Sequence, residues 1–394
     1  MAKRVAIVGI GVTNYEERRD LSHKELLFEA TKKALDDAKL SREDISSGFT
    51  TSYDFLEGRS LSNQYTIDSI GGVMKPSDLR LGEDGIYGIF AGYMEVISRP
   101  YDIVIIGSVQ KGSERREDED AYQKLVLASL DPVFNRPVCA ALPSISGLEY
   151  GLAAMEARRY MYKYGITEKQ LAKVAVKNHN NALKNPRAKK ARWVKESDIL
   201  DSEVLSWPIK RLEVAEMTDA ACILILASEE IAKKITDNPV WITGMGWCSD
   251  TSYIESRDLS KTRYTYVAAK QAYNMAGIKH PAKEIDIAEV YDPYSYKELQ
   301  HCEALGLCEE GGGGRLIEEG MTQVDGSLPV NPSGGLLGQG NAVGTSGLIR
   351  VAEAAYQIRG EAGGYQVPNA EIAVAQGWGG IPTHCGGVVV ISKW

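Results

Sequence analysis

The sequence is poor in the features that mark several large classes of protein. It contains no run of about 18 apolar residues, the length a spanning helix needs, so no transmembrane helix is expected. Its six cysteines, at 139, 222, 248, 302, 308 and 385, form no Cys-x-x-Cys pair. With five histidines besides, zinc and dithiol motifs are absent and no metal is expected. His301-Cys302 and Cys308 have no second pair to complete a site and read as helix-spaced core. There is no basic excess: 45 lysines and arginines against 53 acidic residues give a net charge of −8, which argues against a nucleic-acid partner. Gly9-x-Gly11 lacks the third glycine of a dinucleotide fingerprint. The apolar stretch Val5 to Ile10 is too short for a signal peptide and no small-residue cleavage site follows it. A reduced, cytoplasmic protein is expected.

What the chain does contain is strands alternating with helices. Val5 to Ile10 and Asp102 to Gly107 read as buried strands, Leu26 to Ala38 and Gly85 to Ile97 as helices. This alternation predicts an α/β fold with a sheet covered on both faces. From about Arg115 to Leu212 helix-like segments occur without strand alternation, and strand character resumes at Asp219 to Ala227. The pattern then restarts. Val240-Trp-Ile-Thr-Gly-Met-Gly246 echoes Val5-Ala-Ile-Val-Gly-Ile-Gly11, Ala370 to Ala375 echoes Tyr101 to Ile106, and Gly387 to Ile391 echoes Cys222 to Leu226. The expectation is one duplicated α/β unit. Its first half is 1–113 with 213–238, an inserted helical lobe is 114–212, and its second half is 239–394.

The stretch richest in chemistry runs from Glu289 to Gly347. It opens with Glu289-Val-Tyr291-Asp292-Pro-Tyr294-Ser-Tyr296 and closes with a glycine-dense loop, Asn331 to Gly347, that leads into a helical pattern. Glycines before a helix N-terminus let backbone approach a ligand closely. Other marker segments are Glu303-Ala-Leu-Gly-Leu307, Leu328-Pro-Val-Asn-Pro-Ser-Gly-Gly335, Gly340-Asn-Ala-Val-Gly344 and Lys177-Asn-His-Asn-Asn-Ala-Leu-Lys-Asn-Pro186. Together with the duplication, these segments resemble the thiolase superfamily over nearly the whole chain, nearest to its sterol-carrier-protein-x and archaeal types. The resemblance implies a duplicated five-layer α/β/α/β/α fold with an inserted, mostly helical loop domain. It also implies carbon–carbon chemistry beside a coenzyme A thioester, in lipid metabolism, with that thioester as substrate and no permanently bound cofactor.

The sequence departs from the family at the residues that carry the thiolase reaction. Asp84-Gly85 aligns with the Ser-Gly that follows the nucleophilic cysteine, which puts Gly82 at the nucleophile position. Asn341 replaces the histidine of the Gly-His-Pro loop, and Tyr291 the His or Asn before Asp-x-Phe. Cys385-Gly-Gly387 matches the second-cysteine motif in letters, but Gly377 aligns better. Thiolytic cleavage needs a nucleophile to receive the acyl group, normally a thiolate. Glycine has none, and Glu83 or Asp84 would form an unstable anhydride. Retro-aldol cleavage of a β-hydroxyacyl thioester needs only a base at the hydroxyl and donors for the enolate oxygen. Relatives lacking the nucleophile and carrying tyrosines act as such aldolases.

The expected site follows from that resemblance. Asn341 and Tyr291 would donate to the enolate oxygen. Tyr291, Tyr294 or Tyr296 would relay the hydroxyl proton with help from Glu289 or Asp292. Glu289 and Tyr291, two residues apart, would point into one cleft. His384 and Cys385 are possible pocket-lining residues. Lys177, Arg187, Lys189, Lys190 and Arg192 would hold the phosphorylated adenosine of coenzyme A. A homodimer and a small zinc-ribbon/OB-fold partner are expected from the same resemblance. Two alternatives stand beside the aldolase: an acyltransferase with an unrecognised nucleophile, Cys139 or Cys385 first, and a non-catalytic subunit of an acyl-CoA complex.

Overall fold

Strands β1 (Val5–Val12), β4 (Ile103–Lys111), β7 (Asp219–Ser228) and β11 (Cys385–Ser392) are buried at every position, so helices or other chain must cover both of their faces. The computed structural model shows how. It describes residues 4–53, 66–75, 79–98, 100–113, 145–251, 253–379 and 384–394. Besides those four strands it contains β2 (Ser47–Thr51), β3 (Leu79–Leu81), the short hairpin β5 (Val204–Ser206) and β6 (Ile209–Lys210), β8 (Val240–Ser249), β9 (Ile287–Glu289) and β10 (Ile372–Gly379). The helices that matter here are α1 (His23–Ala38), α2 (Ile86–Ser98), α3 (Ile145–Tyr164), α4 (Glu168–Ala182), α5 (Arg263–Ala276), α6 (Ser295–Ala304), α7 (Gly335–Gln339) and α8 (Val343–Arg359).

Nine strands form one sheet in the order β3-β2-β4-β7-β1-β8-β11-β10-β9. Read outward from the central β1–β8 contact, the two sides mirror each other. β1, β7, β4 and β2 pair antiparallel, antiparallel, parallel; β8, β11, β10 and β9 do the same. Helix α1 packs on β1 and β7, and α5 on β8 and β11, as the outer layers. Helices α2 and α8 each touch strands of both sides and form the middle layer. Helix α8 is accordingly buried nearly all round, which its apolar and small residues permit. The five-layer α/β/α/β/α arrangement expected from the sequence is therefore present.

The duplication extends to single residues. A Cβ on Gly11 would stand 2.0 Å from the Ala30 carbonyl oxygen, and one on Gly246 would stand 2.0 Å from that of Ala268. In both halves the first strand lies against its outer helix too closely for any side chain. Between β4 and β7 the chain forms α3 and α4, the latter begun by a Thr167–Gln170 capping box. Ala153, Ala157, Tyr160, Leu171 and Val174 of these helices pack with Tyr294, Tyr296 and Leu299 of the second half. That contact brings α4 against the loops that follow β9.

Candidate active site

The loops after β9 and before α8 are held by a dry ionic framework. Glu289 accepts from Ser333 Oγ at 2.7 Å and from Arg350 at 2.8 Å, and Arg350 also binds Gln339. Burial pushes the Glu289 carboxyl up to about 7, with the Arg350 guanidinium pulling the other way. Asp292 accepts from the Leu336 N–H at 2.6 Å and from Asn178 at 2.7 Å. Burial and the charge of Glu298 push it up to about 8. Gly335 has φ +56°, and a Cβ there would stand 2.4 Å from Asp292, so this turn requires glycine. Lys177 pairs with Glu298 at 2.8 Å and donates to the Val330 carbonyl at 2.6 Å, with both side chains wholly enclosed.

These contacts correct several expectations. Glu289 and Tyr291 do not share a cleft: Glu289 is enclosed by Arg350 and Ser333, whereas Tyr291 reaches Val343 and Asn341. Asp292 ties the α7 backbone to α4 through the Leu336 N–H and Asn178. Lys177 is a buried brace between α4 and the second half, unable to meet a phosphate. Arg187 pairs with Glu353 at 2.7 Å and binds Tyr365, so it is engaged inside the fold as well. Lys190 lies 3.5 Å from Glu17 and Arg192 lies 2.9 Å from Glu216, while Lys189 is exposed. The five cations thus do not form one surface. Tyr294 and Tyr296 stack at 5.8 Å within the lobe cluster, where Tyr296 donates to Glu156 at 2.9 Å.

A second set of residues does converge. Asp84 accepts from the Ile86 and Gly347 N–H groups, each at 3.0 Å, and the Gly85 N–H donates to the Gly344 carbonyl at 2.8 Å. These bonds dock the turn before α2 onto the first turn of α8. A Cβ on Gly347 would lie 1.7 Å from Asp84 Oδ1, so the approach depends on that glycine. Gly82 is exposed, and a Cβ there would meet nothing within 4 Å among the described residues. Beside it, Glu83 accepts from Tyr53 Oη at 3.0 Å. The Tyr53 ring lies 3.1 Å from where a Gly344 Cβ would stand, which joins Glu83 to the Asn341–Gly344 loop.

Tyr291 Oη donates to the Val343 carbonyl at 2.8 Å, nearer than Asn341 Oδ1 at 3.3 Å, and its ring stands edge-on to Trp378 at 5.3 Å. Burial, and then the charge of Asp84, hold the Tyr291 phenol well above its ordinary range. Asn341 Oδ1 accepts from Ser346 Oγ at 3.0 Å, while its amide NH₂ donates to no group among the described residues. Cys385 is buried near the same place, its thiol pushed up to about 12 by burial and by the charge of Glu83. His384 accepts from the Asp250 N–H through its carbonyl at 2.6 Å, and its ring is close enough to lower Glu83. Cys139 lies outside the described residues.

Among the described residues this set offers a hydrogen-bond donor, a carboxylate and a thiol. A neutral thiol at Cys385 is a poor nucleophile. Asn341 offers a spare donor, Glu83 a partly exposed carboxylate, and Gly82 empty space between loops. Sequence reasoning missed Tyr53 and Ser346, and it weighed Glu83 only as a nucleophile. Tyr53 is a lone tyrosine after an apolar strand, with no spacing that would mark it. Glu83 did carry a signal, its place next to the expected nucleophile position.

Comparison with known proteins bears on what this cluster of residues serves. Residues 5–194 match the thiolase N-terminal domain and residues 246–392 the thiolase C-terminal domain-like family. An acetyl-CoA acetyltransferase of Methanothermobacter thermautotrophicus is 33% identical over 95% of this chain and 96% of its own. Sterol carrier protein 2 of Oryctolagus cuniculus is 29% identical over 99% of this chain and 72% of its own. Among solved structures, the Ltp2-ChsH2(DUF35) aldolase has a TM-score of 0.82 at 24% identity, covering 99% of this chain and 98% of that one. At that identity the likeness carries the fold. With both of its halves matched and its length spanned by such relatives, the chain belongs to the thiolase superfamily of acyl-CoA enzymes.

Proposed function

We propose that the chain cleaves a β-hydroxyacyl-CoA by a retro-aldol reaction, giving a carbonyl compound and a shorter acyl-CoA. The observation that carries this reading is the pair formed, among the described residues, by the side-chain-free Gly82 and an uncommitted Asn341 amide. The position that would hold a nucleophile has no side chain, while a donor for an enolate oxygen is retained. One such donor is worth about 3 to 4 kcal/mol in comparable oxyanion holes. Tyr291, whose hydroxyl donates to the Val343 carbonyl, would turn toward the enolate when substrate binds.

An acyltransferase is the second reading, favoured by relatives named acetyl-CoA acetyltransferase. The raised Cys385 thiol counts against it. Lys189, Lys190 and Arg192 stay the proposed contacts for the phosphates of coenzyme A, at modest gain each. A homodimer and a small zinc-ribbon/OB-fold subunit complete the proposal, the latter supported by the two-component name of the Ltp2-ChsH2(DUF35) neighbour. The test is a product assay on two substrate panels. Aldehyde or ketone release from β-hydroxyacyl-CoA, with no thiolysis of β-ketoacyl-CoA plus free coenzyme A, is the expected result. Thiolysis alone would replace the aldolase with the acyltransferase.

A further inference from the structure

A retro-aldol step needs a base, and the groups expected to supply it are engaged elsewhere. The Tyr291 hydroxyl donates to the Val343 carbonyl, Tyr296 binds Glu156 in the lobe, Glu289 is paired with Arg350, and Asp292 is enclosed among N–H donors. The neighbouring carboxylates Asp84 and Glu83 differ sharply. Asp84 is fully buried, with each of its oxygens held by a backbone N–H. Glu83 is half-buried, holds one hydrogen bond, from Tyr53 to Oε2, and forms no ion pair among the described residues. Its Oε1 is without a partner there, and it adjoins the open space at Gly82.

We propose that Glu83 is the general base of this site, and that Tyr53 is the residue that positions its carboxylate. The proposal rests on the retro-aldol reading and adds the residue that moves the proton. Glu83 accepts the proton of the β-hydroxyl as the C3–O bond becomes a carbonyl. The C2–C3 bond breaks, and its electron pair passes to C2 and the thioester oxygen as the enolate. The protonated Glu83 then returns the proton to C2, so the acyl-CoA leaves neutral at that carbon and the carboxylate is restored. No oxidant, reductant or additional co-reactant is needed.

The surroundings suit a base. Burial raises the Glu83 carboxyl, while the Tyr53 hydrogen bond and then the charge of His384 lower it, and the net direction is upward. The titratable groups facing it are Tyr53 beyond β2, Asp84 and Tyr87 around the start of α2, and His384 and Cys385 at the start of β11. The carboxylate is the active form, so kcat/KM rises with pH as Glu83 loses its proton. That rise is centred above the ordinary carboxylate range.

The test compares wild type, Glu83→Gln and Tyr53→Phe on a β-hydroxyacyl-CoA that the wild type cleaves. Glu83→Gln is near-isosteric and keeps an acceptor for Tyr53. It is expected to lower kcat by about a hundredfold or more, to leave KM within about threefold, and to abolish the rise of kcat/KM on the acid side. Tyr53→Phe removes a bond that lowers Glu83, so it should move that rise to higher pH with a smaller loss of kcat. Retention of both the rise and most of kcat in Glu83→Gln, with carbonyl still released, overturns the base and leaves the retro-aldol reading standing. A wild type that releases no carbonyl from any member of the panel overturns both. A collapse of the melting temperature of Glu83→Gln, together with an unmoved pH profile in Tyr53→Phe, assigns the pair to the fold and overturns the proposal.

Discussion

Glu289, at the end of β9, and Glu83, in the turn before α2, are treated in opposite ways. Glu289 is wholly enclosed, with an arginine, a serine hydroxyl and a backbone N–H around it. Glu83 is half-exposed and rests on one tyrosine hydroxyl. Arg350 and Lys177 make the same contrast for cations, since both are sealed against carboxylates while Lys189 is open to solvent. The difference separates scaffold from chemistry. A buried charge that is fully matched holds loops in place but has no capacity left for a substrate. A partly exposed group with unsatisfied valence at the edge of open space retains that capacity.

The comparison can be broken from its sealed side first. Arg350→Met and Lys177→Met should each destabilise the protein by about 3 to 5 kcal/mol, because each leaves a buried carboxylate without its cation. Chemical denaturation measures this, and an effect under 1 kcal/mol would mean the framework is not what holds the loops. On the open side, Asn341→Ala should cost about 3 to 4 kcal/mol in kcat/KM, roughly a hundred- to thousandfold, while thermal unfolding stays where it is. A matching loss of stability would move Asn341 into the scaffold. Next, Lys189→Ala and Arg192→Ala should each raise KM for acyl-CoA about two- to fivefold with kcat unchanged, as expected of exposed charge contacts worth at most about 1 kcal/mol. Unaltered KM in both would place the nucleotide elsewhere. Smallest of all, Gly82→Ala should shift stability by less than about 0.5 kcal/mol, because its Cβ would meet nothing. A larger loss, read by the melting temperature, would show that the space is already filled.

The fold was legible in the sequence to an unusual depth because it is written twice. Val240 to Gly246 repeats Val5 to Gly11, and the structure gives the two strands equivalent places beside the central contact, with Gly11 and Gly246 pressed on their helices alike. The resemblance followed from the glycine-dense loops, where close backbone approach at Gly335 and Gly347 requires glycine. Individual roles were harder. Charge is visible in a sequence, but its partner is not: Glu298 lies 121 positions from Lys177, and Arg350 lies 61 from Glu289. A basic run was therefore read as a phosphate site although two of its members are spent on buried carboxylates. The tyrosines after β9 were read as a set because they are close in sequence. Helix α6 instead carries Tyr296 away from Tyr291 and into the lobe. Tyr53 gave no sign at all, since what matters about it is a distance to Glu83, thirty residues on.

The claim at the centre of this account is that the site cleaves a carbon–carbon bond without ever holding an acyl group covalently. Intact-protein mass spectrometry on samples quenched during turnover of a β-hydroxyacyl-CoA, with the carbonyl product quantified in parallel, tests it most directly. Retro-aldol cleavage leaves unmodified protein at every time point and releases one carbonyl per acyl-CoA formed. An acyl adduct that appears and decays at the rate of turnover would contradict it, and would return the chain to the acyl-transfer chemistry of its relatives.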